Sequence, residues 1–227
     1  MLYIFVVDAT CPLPKREREG EVTMVIAPPA IQERDTVVRL RLPFEVDEAQ
    51  FFAFCQLNPE LRIERTAEGD VEIMPPAGGE TSRKNLKLGR QLDDWAERDG
   101  TGVAFDSSAG FILPDRTVRS PDAAWVLKSR LAQLRPEAKD RFLPLCPDFV
   151  VELRSPSDAL ATLQAKLEEY IANGARLGWL LDPSSRTVYV YRPGVAVETL
   201  ERATEVKGDP QLPGFTLALA PIWEPGF

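Results

Sequence analysis

Apolar and polar positions along this chain change period several times, and each change marks an expected element. From Val38 to Leu42 apolar and basic residues alternate, as in a short strand. Asp47 follows with Gln50 three residues on, a capping-box pair that opens a helix. Phe51, Phe52, Phe54, Cys55 and Leu57 supply its apolar content, and Pro59 lies past its end. Leu61–Arg65 and Val71–Met74 flank Ala67-Glu68-Gly69-Asp70, which reads as a β-hairpin. The breaker run Pro75-Pro76-Ala77-Gly78-Gly79 leads into a long helix from Glu80 to Arg98. Leu88, Leu92 and Trp95 recur there at helical spacing, and Gly100 ends it.

Strands are expected next near Gly102–Asp106 and Gly110–Leu113, then in Ser120-Pro121-Asp122-Ala123-Ala124-Trp125-Val126. Residues 128–147, rich in Arg, Lys and Pro, read as short helix and loop. Asp148-Phe149-Val150-Val151-Glu152-Leu153-Arg154 is a further strand, and Ser155-Pro156-Ser157-Asp158 a turn that caps the next helix. That helix runs over Ala159–Ala172 with Leu160, Leu163, Leu167, Tyr170 and Ile171 as its buried stripe. Leu177–Leu181 is wholly apolar, as in a central strand, Thr187–Arg192 alternates, and the tail holds one or two more strands. The order predicts an α/β fold, a mixed central sheet flanked by helices, with a helix and a hairpin N-terminal to it. Residues 1–35 carry Pro12, Pro14, Pro28, Pro29 and the mixed run Lys15–Glu19, and read as an extension, with Met24 as an alternative start. Residues 36–227 form one domain on this reading.

Composition narrows the chemistry. Apolar residues make up 44% of the 227 and charged residues 27%, as in an ordinary globular protein. No apolar run reaches the roughly 18 residues of a membrane span. The three cysteines, Cys11, Cys55 and Cys146, form no CxxC, which fits a reducing cytoplasm and argues against zinc. Histidine is absent, so a Ser-His-Asp triad and any His general base are excluded. A net charge of −8 counts against non-specific nucleic-acid binding, though it says little of local distribution.

Against that background two carboxylates stand out. A charge inside an apolar strand is costly unless it is paired or holds a metal. Asp122 and Glu152 both sit in such runs, and two carboxylates on adjacent strand ends suit Mg²⁺ or Mn²⁺, with the Leu153 carbonyl as a third oxygen. Arg154, two residues after Glu152, is expected on the same face, where its fork of donors would grip a phosphate. Lys166 lies on the flank of its helix's apolar stripe, where a snorkelling surface lysine is the plainer reading. Glu80 is either a third acidic group or a favourable charge at a helix N-terminus.

Pro121-Asp122 followed by Glu152-Leu153-Arg154 resembles the Pro-Asp…(Asp/Glu)-x-Lys, or PD-(D/E)XK, signature of restriction-endonuclease-like nucleases. Pro75–Glu80, Ser120–Ala123, Cys146–Asp158, Lys166–Tyr170 and Leu177–Pro183 are similar, block by block, to the Uma-two family within that superfamily. The resemblance covers roughly Phe44 to Trp223. It implies a restriction-endonuclease-like core and Mg²⁺-dependent hydrolysis of DNA phosphodiesters. Asp122 and Glu152 would be the metal ligands and Glu80 the acid of the first core helix. Arg154 stands where the signature has lysine, so Lys166 would supply the missing amine, with Tyr170 beside it. A homodimer is expected where two strands are cut. The rival reading is a nuclease-fold protein that binds nucleic acid or protein without cutting.

Overall fold

The computed structural model describes residues 37–226, so the expected extension over residues 1–35 and the alternative start at Met24 lie outside the described residues. The chain runs through β1 (Val38–Leu40), α1 (Glu48–Leu57), β2 (Arg62–Arg65), β3 (Val71–Met74), α2 (Gly79–Asp99) and β4 (Gly102–Asp106). Then come β5 (Phe111–Ile112), β6 (Val118–Arg119), β7 (Ala123–Leu127), α3 (Lys128–Leu131), a 3-10 turn at Pro136–Asp140, and β8 (Phe149–Leu153). It ends with α4 (Leu160–Ala172), β9 (Leu177–Asp182), β10 (Thr187–Tyr191), β11 (Glu198–Glu201), β12 (Glu205–Lys207), β13 (Thr216–Ala218) and α5 (Ala220–Trp223).

Six strands form the main sheet in the order β11-β10-β9-β8-β7-β4. Its β8 and β9 pair in parallel and the other neighbours antiparallel. A parallel pair needs a crossover, and α4 is that crossover. Helices cover both faces, which is why β8 and β9 are buried along their whole length. On one face Phe149, Val151 and Leu153 join Leu88, Leu92 and Trp95 of α2 in one core cluster. On the other Val150 joins Leu167 and Tyr170 of α4 in a second. Glu152 shares the face of Val150 by the two-residue period of a strand.

A second, antiparallel sheet has the order β1-β3-β2-β6-β5. Ile63, Val71 and Val118 on one face cluster with Phe51 of α1. Alternation therefore turns Arg62, Glu64, Glu72 and Arg119 to the opposite face, toward the start of β7. The chain crosses from β6 in this sheet to β7 in the main sheet within Ser120-Pro121-Asp122.

Most expected elements form. The Asp47 side chain accepts from Gln50 N at 2.8 Å while Gln50 Oε1 accepts from Asp47 N at 3.0 Å, which is the capping box. Gly100 ends α2 at φ 71°. Four details differ. Asp122 lies one residue ahead of β7 rather than inside a strand. The Ser155–Asp158 turn does not cap α4: the cap position is Ala159 without a side-chain bond, and Asp158 Oδ2 instead accepts from Ser155 N at 2.8 Å, closing its own turn. The tail carries three strands, not one or two, and β6 is too short to show a period. No helix among the described residues is long and apolar enough to cross a membrane.

Gly102 opens β4 where a Cβ would come within 2.2 Å of the Trp125 indole in the buried core. Gly102→Ala should therefore cost about 1–3 kcal/mol through overpacking, read as a lower urea midpoint. An unchanged midpoint would contradict this packing.

Candidate active site

The register of β7 on β8 places the two carboxylates together. Ala123 pairs with Val151 antiparallel, so Asp122, just before β7, comes beside the end of β8 that carries Glu152. Leu153 N donates to Asp122 Oδ2 at 2.8 Å and ties the strand ends. Asp122 Oδ1 accepts from Asn85 Nδ2 of α2 at 3.2 Å and faces Arg62 Nη1 of β2 at 3.5 Å. Asp122 is 8% exposed and Glu152 2%.

The helix after β8 brings an amine to them. Lys166 and Tyr170 stand four residues apart, one above the other on α4. Lys166 Nζ lies 3.0 Å from Glu152 Oε1 and 2.9 Å from Glu64 Oε1 of β2. The Tyr170 hydroxyl donates to the same Glu152 oxygen at 3.1 Å. Lys166 is thus no snorkelling surface lysine, since its side chain is only 11% exposed.

Behind this bridge stands a layer the sequence reading did not single out. Arg119 Nη1 reaches Glu64 Oε2 at 3.1 Å and Glu72 Oε2 at 2.6 Å, and its Nε reaches Glu169 Oε2 at 2.6 Å. Ser120 N donates to Glu64 Oε1 at 2.9 Å. One signal for this was present: Arg62, Glu64 and Glu72 are charges that alternate with apolar residues. That pattern also describes a solvated face, and only the second sheet's position shows that the face is covered.

Glu80 and Arg154 lie apart from that centre. Glu80 is on the first turn of α2, on the cavity rim, and pairs with Lys84 Nζ at 2.6 Å, one helical turn on. From α2 it is Asn85 that touches Asp122. Arg154 stands beyond the last residue of β8, and its Nη1 meets Asp182 Oδ2 at 3.0 Å while its Nε donates to the Asp158 carbonyl at 3.0 Å. It does not line the cavity, whereas Leu153 does. The second Pro-Asp pair, Pro147-Asp148, has a local role. Asp148 Oδ2 accepts from Leu127 N at 3.0 Å and pairs with Arg130 at 3.1 Å.

Burial, reinforced by Asp122 and Glu64, outweighs Lys166 and Arg62 and pushes the Glu152 carboxyl up to about 7. Burial would also raise Glu64, but Lys166, Arg119 and Arg62 hold it down to about 2. Lys166 is opposed by burial, yet Glu152 and Glu64 raise its pKa, so the ammonium stays charged. Burial and Glu152 raise the Tyr170 hydroxyl well above its usual range, so it serves as a donor.

Among the described residues no three His, Cys, Asp or Glu side chains are arranged together as metal ligands. Mg²⁺ does not require three. It is commonly held by one or two carboxylates, with water filling the rest of its shell. Asp122 and Glu152 line one cavity of about 1250 Å³ with Leu153. Glu152 Oε1 and Asp122 Oδ1 each already face two donors, so the other oxygen of each carboxylate is the one with lone pairs to offer a cation. A crowded pair of buried carboxylates, one of them resisting ionisation, is the donor set that a divalent cation would neutralise.

Residues 48–220 match the Uma2 family, described as "Putative restriction endonuclease". No curated protein matches the chain. Among solved structures, a "putative nuclease belonging to DUF820" from Anabaena variabilis ATCC 29413 is similar, with 18% identity and a TM-score of 0.66 over 79% of this chain and 98% of that one. At that identity the likeness is one of fold. The family match, which spans α1 to the start of α5 and takes in every element of the site, shows that the chain belongs to the Uma2 family.

Proposed function

We propose that the protein is a Mg²⁺-dependent endonuclease that hydrolyses DNA phosphodiesters at the Asp122–Glu152 strand ends. The observation that carries this reading is the Lys166 ammonium on Glu152, beside Asp122. It puts two carboxylates and an amine together, as the nuclease signature requires, with α4 supplying the amine in place of Arg154. Family membership and fold support it.

Asp122 and Glu152 would hold Mg²⁺ or Mn²⁺, which supplies Lewis-acid polarisation of the phosphate and acidifies water for the attack. Leu153 N and Asn85 fix the Asp122 carboxylate, and Tyr170 fixes that of Glu152, so both are aimed before substrate arrives. Lys166, held from behind by Glu64, places a positive charge where negative charge grows on the phosphate. Its raised pKa keeps it a cation, suited to stabilising charge rather than to removing a proton.

The cavity is not a basic groove. Its lining carries eight carboxylates and four cations. DNA, itself polyanionic, would meet net repulsion there until a divalent cation offsets the carboxylates. One alternative draws on the same fact: a nuclease-fold protein that binds without cutting. Calorimetry separates the two, since absence of Mg²⁺ binding supports the alternative.

Asp122→Ala, Glu152→Ala and Lys166→Met should each lower Mg²⁺-dependent cleavage of plasmid DNA by at least about 100-fold. Arg154→Gln should lower it far less and act on the unfolding midpoint, because its guanidinium holds Asp182 and the Asp158 carbonyl and does not line the cavity. Cleavage that survives Glu152→Ala, or fails in the unsubstituted protein with both Mg²⁺ and Mn²⁺, rejects the reading.

The buried Glu152 carboxyl also gives a pH dependence in EDTA. Its pKa is about 7 in the fold against an ordinary 4.5, so between those values the folded protein keeps a proton that the unfolded chain loses. Stability from this group is full below 4.5 and falls as pH rises to 7. The midpoint difference between the unsubstituted protein and Glu152→Gln should shift against the former across that window, and added Mn²⁺ should reverse the shift. A pH-independent difference would contradict it.

A further inference from the structure

The four cations lining the cavity are not equivalent. Arg119 has its guanidinium on three carboxylates. Lys166 is shared between Glu64 and Glu152. Arg39, at the outer edge on β1, is paired with Glu72 and has a side chain 59% exposed. Arg62 differs from all of them. It opens β2 on the charged face of the second sheet and lines the cavity beside Asp122.

Its contacts leave donors to spare. Nη2 donates to the Ser120 carbonyl at 2.5 Å, which anchors the end of the side chain. Nη1 reaches Asp122 Oδ1 only at 3.5 Å, the outer limit of a hydrogen bond. Nε is buried and has no hydrogen-bond partner. A guanidinium has five N–H donors in a planar fork that matches the oxygens of a phosphate. An orphaned buried donor calls for an explanation, and one explanation is a ligand that fills it. A divalent cation on Asp122 would weaken the long Arg62–Asp122 contact by neutralising that carboxylate, which frees Nη1 as well.

We infer that Arg62 is a phosphate ligand of the site: it receives a non-bridging oxygen of the substrate phosphodiester through Nε while Nη2 stays on the Ser120 carbonyl. The inference rests on the nuclease reading for its substrate. It assigns to β2, in the second sheet, the anion-gripping part that the sequence assigns to Arg154. It also makes Arg62 a contact to substrate rather than a clamp on Asp122.

The test separates those two roles by two readouts. Binding of a short fluorescein-labelled DNA duplex is followed by anisotropy with Ca²⁺, under conditions where gels show the duplex intact. Mn²⁺ binding without DNA is followed by calorimetry. Arg62→Met should weaken duplex binding about tenfold or more, the value of a hydrogen bond to a charged group, and leave Mn²⁺ binding unchanged or tighter. Arg62→Lys keeps the charge but lacks the fork, so it should lie between the two. If Arg62→Met does not fold, Arg62→Lys carries the test, with a several-fold loss expected.

Duplex affinity within twofold of the unsubstituted protein overturns the inference. So does a parallel loss of Mn²⁺ affinity, which would make Arg62 a positioning residue for Asp122. If the unsubstituted protein binds no duplex, the nuclease reading fails separately. Inorganic phosphate on the Mn²⁺-loaded protein is then the probe. Loss of phosphate binding in the Arg62 variant upholds the inference, and equal or absent binding in both proteins overturns it.

Discussion

The Lys166 ammonium lies between Glu64 Oε1 at 2.9 Å and Glu152 Oε1 at 3.0 Å, and this bridge joins the three parts of the molecule that build the site. Glu64 belongs to the second sheet, Glu152 to the main sheet and Lys166 to the helix that crosses over between β8 and β9. Removing one partner of a buried ion pair strands the other charge, at about 3–5 kcal/mol. The geometry is therefore over-determined. Arg119 extends the network to Glu72 and Glu169, so the charged face of the second sheet is held against α4 by ion pairs rather than by apolar contact. A well-packed apolar layer would serve stability as well or better. That a charged layer stands here instead fits a site that needs charge.

The main sheet supplies the rigidity such a site needs. The sheet's β8 is buried on both faces, with Phe149 against Trp179 at 4.8 Å between ring centroids and Val150 against the α4 cluster. Glu152 rides on that strand and Asp122 is fixed to its end through Leu153 N. The end of the β7–β8 pair faces a cavity lined by the first turn of α2, by β2 and by α4. Stability is thus concentrated in the layers, and the candidate site stands where one sheet hands the chain to the other.

Much of this was legible in the sequence for physical reasons that can be named. Helices α1, α2 and α4 announced themselves through caps, stops and a 3.6-residue stripe. Asp122 and Glu152 were visible because a charge in an apolar run must be answered by something. Glu64, Arg62 and Arg119 were not visible as site residues. Alternation tells which residues share a face but not what covers that face. Arg154 misled for a related reason. The two-residue period assigns it to the Glu152 face, but β8 ends at Leu153 and its pairing with β9 closes through Arg154 N on the Leu181 carbonyl at 2.9 Å. Past the strand end the pleat no longer fixes direction, and the guanidinium settles on Asp182. Lys166 was ambiguous because a lysine flanking an apolar stripe reads the same whether its tip meets water or a carboxylate.

The claim on which all of this turns is that Asp122 and Glu152 together hold a divalent cation beside Lys166. Crystals of the full chain soaked in Mn²⁺ and measured for anomalous scattering would test it most directly. The account predicts one strong peak within about 2.0–2.4 Å of an oxygen from each carboxylate, with the Lys166 ammonium still on Glu64. A peak elsewhere, or none at Mn²⁺ concentrations that saturate binding in solution, would contradict it.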